Sequence, residues 1–247
     1  MAKRSNRFGS SNGKSAEAVA DLAAYNGGIL TTAEAVGEGF ANCRLTEAVD
    51  RGYLERVERG VYCIPEIWED QYYIYFLRYP KGIFSDESAL VIHGLLDFAP
   101  MGKIVMNFPR GYNASSARRS GVEVRTCPSE HFLLGVGEFE TSHGNIVSCY
   151  DAERSLCDVL RYRSMVDVEP VMEAFRRYAV SDGRDFKKLF ECAKKLKASR
   201  KVLYYVFSQP EVVSAVRKEI VDAYIEVFNV PINELKKEQE TTFNVRA

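Results

Sequence analysis

The chain has 247 residues, of which 46% are hydrophobic and 27% charged. That is enough apolar material to bury a core without disulfide or metal staples. With 33 Lys+Arg against 34 Asp+Glu the net charge is −1, which excludes a polybasic coat for nucleic acid; any positive surface must be local. No apolar run approaches the roughly 18 residues that a membrane span needs, and the basic start lacks the apolar stretch of a secretory signal. The six cysteines, at 43, 63, 127, 149, 157 and 192, form no C-x-x-C pair and no zinc-ligand spacing with histidine. They read as free, mostly buried thiols of a cytoplasmic protein, and no metal or cofactor is expected.

Residues 1–14 are rich in Ser, Asn and Gly and carry Lys3, Arg4, Arg7 and Lys14 with no acid, the composition of a flexible basic tail. From Ser15, which is placed to cap, Val19, Leu22 and Ala23 recur at helical spacing until Asn26-Gly27-Gly28 stops the helix. Ile29 and Leu30 read as a short apolar link. Thr31 or Thr32 then caps a second helix through Val36, with Glu34 in its first turn. A third helix runs from about Asn42 to Arg51, with Leu45, Ala48 and Val49 on one face, and Gly52 ends it. Residues 53–64 alternate partly with period two and turn at Arg59-Gly60, a short hairpin. Three helices and a hairpin within residues 15–65 is the order of a winged helix-turn-helix.

Residues 66–233 read as a larger mixed α/β domain with a helical C-terminal part, making the chain α+β. An aromatic helix is expected over 68–79. A helix capped by Ser85 follows, then strands near 103–108, 122–126, 131–139 and 145–150. A helix from Asp151 to Leu160 and further helices near 169–179, 184–197, 199–207 and 210–228 complete the domain. Residues 234–247 read as a polar tail.

A winged helix lays its third helix in the major groove and its wing against the backbone. Asn42, Arg44 and Thr46 fall in the N-terminal turns of that helix; Asn suits adenine and Arg suits guanine through bidentate contacts. Arg56 and Arg59 lie on the wing, and Lys3, Arg4 and Arg7 form an arm able to reach a groove. Residues 1–65 hold eight cations against eight acids, so non-specific affinity should be weak and salt-dependent. The competing reading pairs Arg44, Arg56 and Arg59 with Glu47, Glu55 and Glu58 and leaves a protein-interaction scaffold that binds no DNA.

Elsewhere, no Asp-x-Asp, P-loop or Gly-x-Ser-x-Gly elbow occurs, and Glu123-Val-Arg125 is a poor match to a nuclease strand. The chain therefore reads as no enzyme. In the Asp151, Glu153, Arg154, Asp158 cluster, Asp151 caps a helix and Arg154 pairs with Asp158. His93 reads as a hydrogen-bonded core residue. Lys187, Lys188, Lys194, Lys195, Lys197, Arg200 and Lys201 form a basic stretch: a solvated helix face, or a patch for DNA or RNA backbone.

Several motifs together resemble the AbiEi-type antitoxins. They are the stretch from Gly28 to Val36, Leu45-Thr-Glu-Ala-Val-Asp-Arg-Gly-Tyr-Leu-Glu-Arg-Val-Glu-Arg-Gly-Val-Tyr62, Ser85 to Leu95, Asn107-Phe-Pro-Arg-Gly-Tyr-Asn113 and Tyr150 to Leu160. The wing ending Arg-Gly-Val-Tyr and the later Glu-Arg-Ser-Leu-Cys-Asp are the most telling. The resemblance implies a type IV toxin-antitoxin system of abortive phage infection. Its winged helix would repress its own operon by binding operator DNA, an inverted repeat upstream, with self-association there. Its C-terminal domain would oppose a nucleotidyltransferase toxin without a stable complex. The family's wing arginines match Arg56 and Arg59, and the basic tail before Ser15 is an extension.

Overall fold

A computed structural model describes residues 15–65, 70–99, 102–161, 168–208 and 210–230. The basic tail with Lys3, Arg4 and Arg7 and the polar end at 234–247 lie outside the described residues. The chain divides into two compact units, Met1–Pro80 and Lys81–Ala247.

In the first unit the described elements are α1 (Ala16–Tyr25), β1 (Ile29–Thr31), α2 (Thr32–Gly37), α3 (Asn42–Asp50), β2 (Glu55–Glu58), β3 (Val61–Cys63) and α4 (Gln71–Arg78). Ser15 caps α1 by accepting from the Ala18 amide. Thr31 and Glu34 form a reciprocal capping box on α2. Gly60, at φ +81°, allows the tight turn between β2 and β3. Ile29-Leu30 is more than a link: β1 pairs antiparallel with β3, Leu30 opposite Tyr62, giving a sheet of order β1-β3-β2. A three-residue strand depends on a partner thirty residues away, so local pattern alone does not reveal it.

Adjacent strand residues face opposite ways, and β1 uses both. Leu30 joins Val19, Leu22, Ala35, Phe40, Leu45 and Leu54 in the helical core. Ile29 turns to the other face with Val61 and Cys63, where Ile74 of α4 covers them. The aromatic helix expected over 68–79 is α4, eight residues long, capped by Asp70; residues 68–69 are outside the described set. Because α4 packs on this sheet, the compact unit continues past residue 65 to Pro80.

The second unit carries a mixed sheet of order β6-β5-β4-β8-β7, built from β4 (Ile83–Phe84), β5 (Val105–Phe108), β6 (Glu123–Thr126), β7 (Val136–Glu140) and β8 (Ile146–Tyr150). β5 with β6 and β4 with β8 are parallel, and the other pairs are antiparallel. Among the described residues α5 (Asp86–Ile92), α6 (Ser115–Arg119) and α7 (Ser129–Phe132) lie between these strands, and α8 (Ala152–Arg161) follows the last of them. The single strand expected at 131–139 is instead the end of α7 followed by β7, because Gly135 at φ +74° breaks the run. Ser85 stands at the N-cap of α5 but its side chain makes no capping bond. Then α9 (Val168–Val180), α10 (Phe186–Lys195), α11 (Ser199–Phe207) and α12 (Pro210–Phe228) close around α8, where Leu156, Leu160, Phe175, Phe190, Leu203 and Ile220 share one core.

Candidate nucleic-acid interface

In α3 the buried residues Leu45 and Ala48, with half-buried Val49, fix which side faces out. At 100° per residue the opposite stripe carries Cys43, Thr46, Glu47 and Asp50, flanked by Asn42 on one edge and Arg44 and Arg51 on the other. Asn42, Arg44 and Thr46 are all exposed. Arg44 is not loose: its Nη1 donates to Glu47 at 2.5 Å, and Arg51 forms an ion pair with the other oxygen of the same carboxylate, also at 2.5 Å. The hydrogen bond from Arg44 is the largest cause holding Glu47 below the ordinary carboxylate range.

On the wing Arg56 and Arg59 are exposed, and among the described residues neither pairs with a carboxylate. Arg56 donates to the Glu58 carbonyl, at 3.4 Å. Glu58 is taken by Arg78 of α4 and by the Arg59 amide. The wing tip is anchored by the Thr32 amide, which donates to the Gly60 carbonyl at 2.9 Å. The structure thus brings Asn42, Arg44, Thr46, Arg56 and Arg59 into one unit on a helix and an adjacent hairpin. On the same outward stripe stand Cys43, the one exposed thiol of the six, and the acids Glu47 and Asp50; of the three, the sequence reading singled out only Glu47, as a partner for Arg44. Their signal was in the sequence, at positions one, five and eight after Asn42, the outward spacing of a helix.

The C-terminal basic stretch is largely engaged. Lys187 pairs with Glu226 at 2.5 Å and Lys188 with Asp151 and Glu153 at 3.1 and 3.0 Å. Burial works against the Lys188 charge, but bonds to Glu153 and Asp151 outweigh it and push the ammonium up to about 12. Lys194 donates to the Val227 carbonyl and Lys201 to that of Leu160. Lys195, Lys197 and Arg200 remain exposed.

A second polar cluster lies inside the second unit. Asp151 caps α8 through the Arg154 amide at 2.8 Å. Arg154 donates Nε to Asp158 at 2.6 Å and Nη1 to the His131 carbonyl, with its guanidinium 4.6 Å from the Tyr150 ring centroid. Tyr150 links Asn107 to the Phe132 carbonyl. Asp86, at φ +51°, is buried 3.8 Å from Arg125, and among the described residues neither of its carboxylate oxygens has a hydrogen-bond partner. Burial pushes its carboxyl up to about 8, with Asp158 and Glu87 adding to the shift. His93 meets the Tyr150 carbonyl at 2.7 Å and packs edge-on against Phe139, as expected of a core histidine; its burial lowers the imidazole pKa. Among the described residues no group of three or more His, Cys, Asp or Glu is placed to hold a metal ion, and no helix is long and apolar enough to cross a membrane.

Helices α1–α3, the three-stranded sheet and the β2–β3 wing define a winged helix-turn-helix. Residues 17–65 match a family model described as transcriptional regulator, AbiEi antitoxin. The resemblance read from the sequence is thereby supported over that segment. No curated protein sequence matches the chain. Among solved structures, the crystal structure of RV2827C protein from Mycobacterium tuberculosis aligns at 13% identity with a TM-score of 0.49, covering 77% of this chain and 80% of that chain.

Proposed function

We propose that the chain is a DNA-binding transcriptional regulator and antitoxin that represses its own operon and counteracts a nucleotidyltransferase toxin, without catalysis of its own. The observation that carries the DNA-binding part is the pairing state of the wing. Arg56 and Arg59 are exposed cations with no carboxylate among the described residues to neutralise them, beside a helix that presents Asn42, Arg44 and Thr46 outward. Wing cations suit phosphates, and the helix polar groups suit base edges. The arm with Lys3, Arg4 and Arg7 adds backbone affinity. An inverted-repeat operator would be met by two copies of the chain. The antitoxin role rests on the family described for residues 17–65 and on the motifs of the second unit that resemble that family. Toxin suppression is assigned to the segment from 66 to 233, with no stable complex.

A second reading, a winged-helix interaction scaffold, is favoured by one observation: Glu47 and Asp50 on the outward stripe of α3 are acids that phosphates repel. A mobility-shift titration with the DNA upstream of the chain's own reading frame separates the two. The regulator reading expects retardation that unlabelled upstream DNA competes away better than unrelated DNA. Equal competition by both, or no retardation, overturns it.

A further inference from the structure

Glu47 is positioned to do more than balance charge. Its two oxygens are shared between Arg44, one turn before it, and Arg51, one turn after, each at 2.5 Å. The three side chains are partly open to solvent, at 45%, 28% and 53% exposure for Arg44, Glu47 and Arg51. Exposed pairs of this kind add little to folding, so stability does not account for the arrangement. The carboxylate is placed to restrict two arginines whose long side chains could otherwise meet phosphates of any sequence. An arginine has five N–H donors, so one bond to Glu47 leaves Arg44 with donors for a base edge.

We propose that Glu47 is a positioning residue for sequence discrimination: it holds Arg44 on the reading face of α3 and withholds Arg44 and Arg51 from sequence-blind phosphate contacts. The inference rests on the DNA-reading proposal above and adds a mechanism to it. The triad carries one net positive charge in place of two, which lowers affinity for random DNA. The fixed guanidinium loses less freedom when it meets its base.

The test uses the full chain with Glu47→Gln and Glu47→Asp. Fluorescence anisotropy is read across a salt series on two labelled duplexes of equal length, one from the upstream region and one unrelated. Glu47→Gln is expected to bind the unrelated duplex about tenfold more tightly at low salt, with a log–log salt slope steeper by about one. The preference for the upstream duplex then falls by about tenfold, within the range that one bidentate base contact supplies. Glu47→Asp keeps the anionic bridge and most of the preference.

A Glu47→Gln protein with wild-type slope and preference overturns the proposal. So does one whose preference falls only through weaker upstream binding, because that result makes Glu47 a direct base contact. A wild-type chain that prefers neither duplex defeats the DNA-reading proposal itself, and this one with it. The first two outcomes leave that reading standing.

Discussion

Arg154 and Asp158 form an ion pair one turn apart on α8, Nε to Oδ2 at 2.6 Å, with 0% and 2% of their side chains exposed. The sequence shows the i,i+4 spacing; the burial comes from the tertiary fold, in which Arg154 meets the His131 carbonyl and the Tyr150 ring. Breaking such a pair leaves an uncompensated buried charge, at a cost of about 3–5 kcal/mol. Asp158→Ala is therefore expected to lower the urea midpoint sharply, whereas Arg154→Met with Asp158→Leu recovers most of the loss. A single variant within about 1 kcal/mol of wild type would contradict this.

Asp86 imposes a pH dependence of the opposite kind from a salt-bridged carboxylate, whose folded pKa is lowered. Its folded pKa, about 8, lies above the ordinary 3.8. Between those values the unfolded chain has released the proton and the folded chain still holds it. Stability from this group therefore falls as pH rises from about 4 to about 8 and is level above that. Asp86→Asn removes the slope, and asparagine tolerates the positive φ. Denaturant titrations at pH 5 and pH 8 should show the variant gaining on wild type at the higher pH. An equal difference at both pH values rejects the assignment.

The capping box on α2 is a local, testable device. Thr31 Oγ1 accepts from the Glu34 amide at 3.1 Å, and Glu34 accepts from the Thr31 amide at 2.8 Å. Thr31→Ala should cost about 1 kcal/mol and Thr31→Ser much less. Urea unfolding of the two variants beside wild type checks the order.

The legible parts of the fold were those whose signals are local. Ser15, the Thr31–Glu34 box, the apolar stripe of α3 and the Arg59-Gly60 turn each announce an element within four residues. β1 and β4, three and two residues long, carry no periodicity and exist only through their partners. The same limit applied to the site. Residue type and position picked out Asn42, Arg44, Thr46, Arg56 and Arg59, but which arginine is tied and which is open depends on three-dimensional neighbours. Glu58 goes to Arg78 of α4 and so leaves both wing arginines without a carboxylate among the described residues. The density of lysines at 187–201 fitted either a solvated helix face or a backbone-binding patch, and four of its seven cations meet acids or carbonyls elsewhere in the fold.

The central claim is that α3 and the wing sit against duplex DNA, and the wing tests it most directly. Affinity of the full chain for its upstream duplex should be measured across a salt series for wild type and for Arg56→Ala with Arg59→Ala. The account predicts weaker binding to upstream and unrelated duplexes alike, and a salt slope shallower by about two, one for each phosphate that the wing no longer neutralises. A double variant with wild-type affinity and an unchanged slope would contradict it.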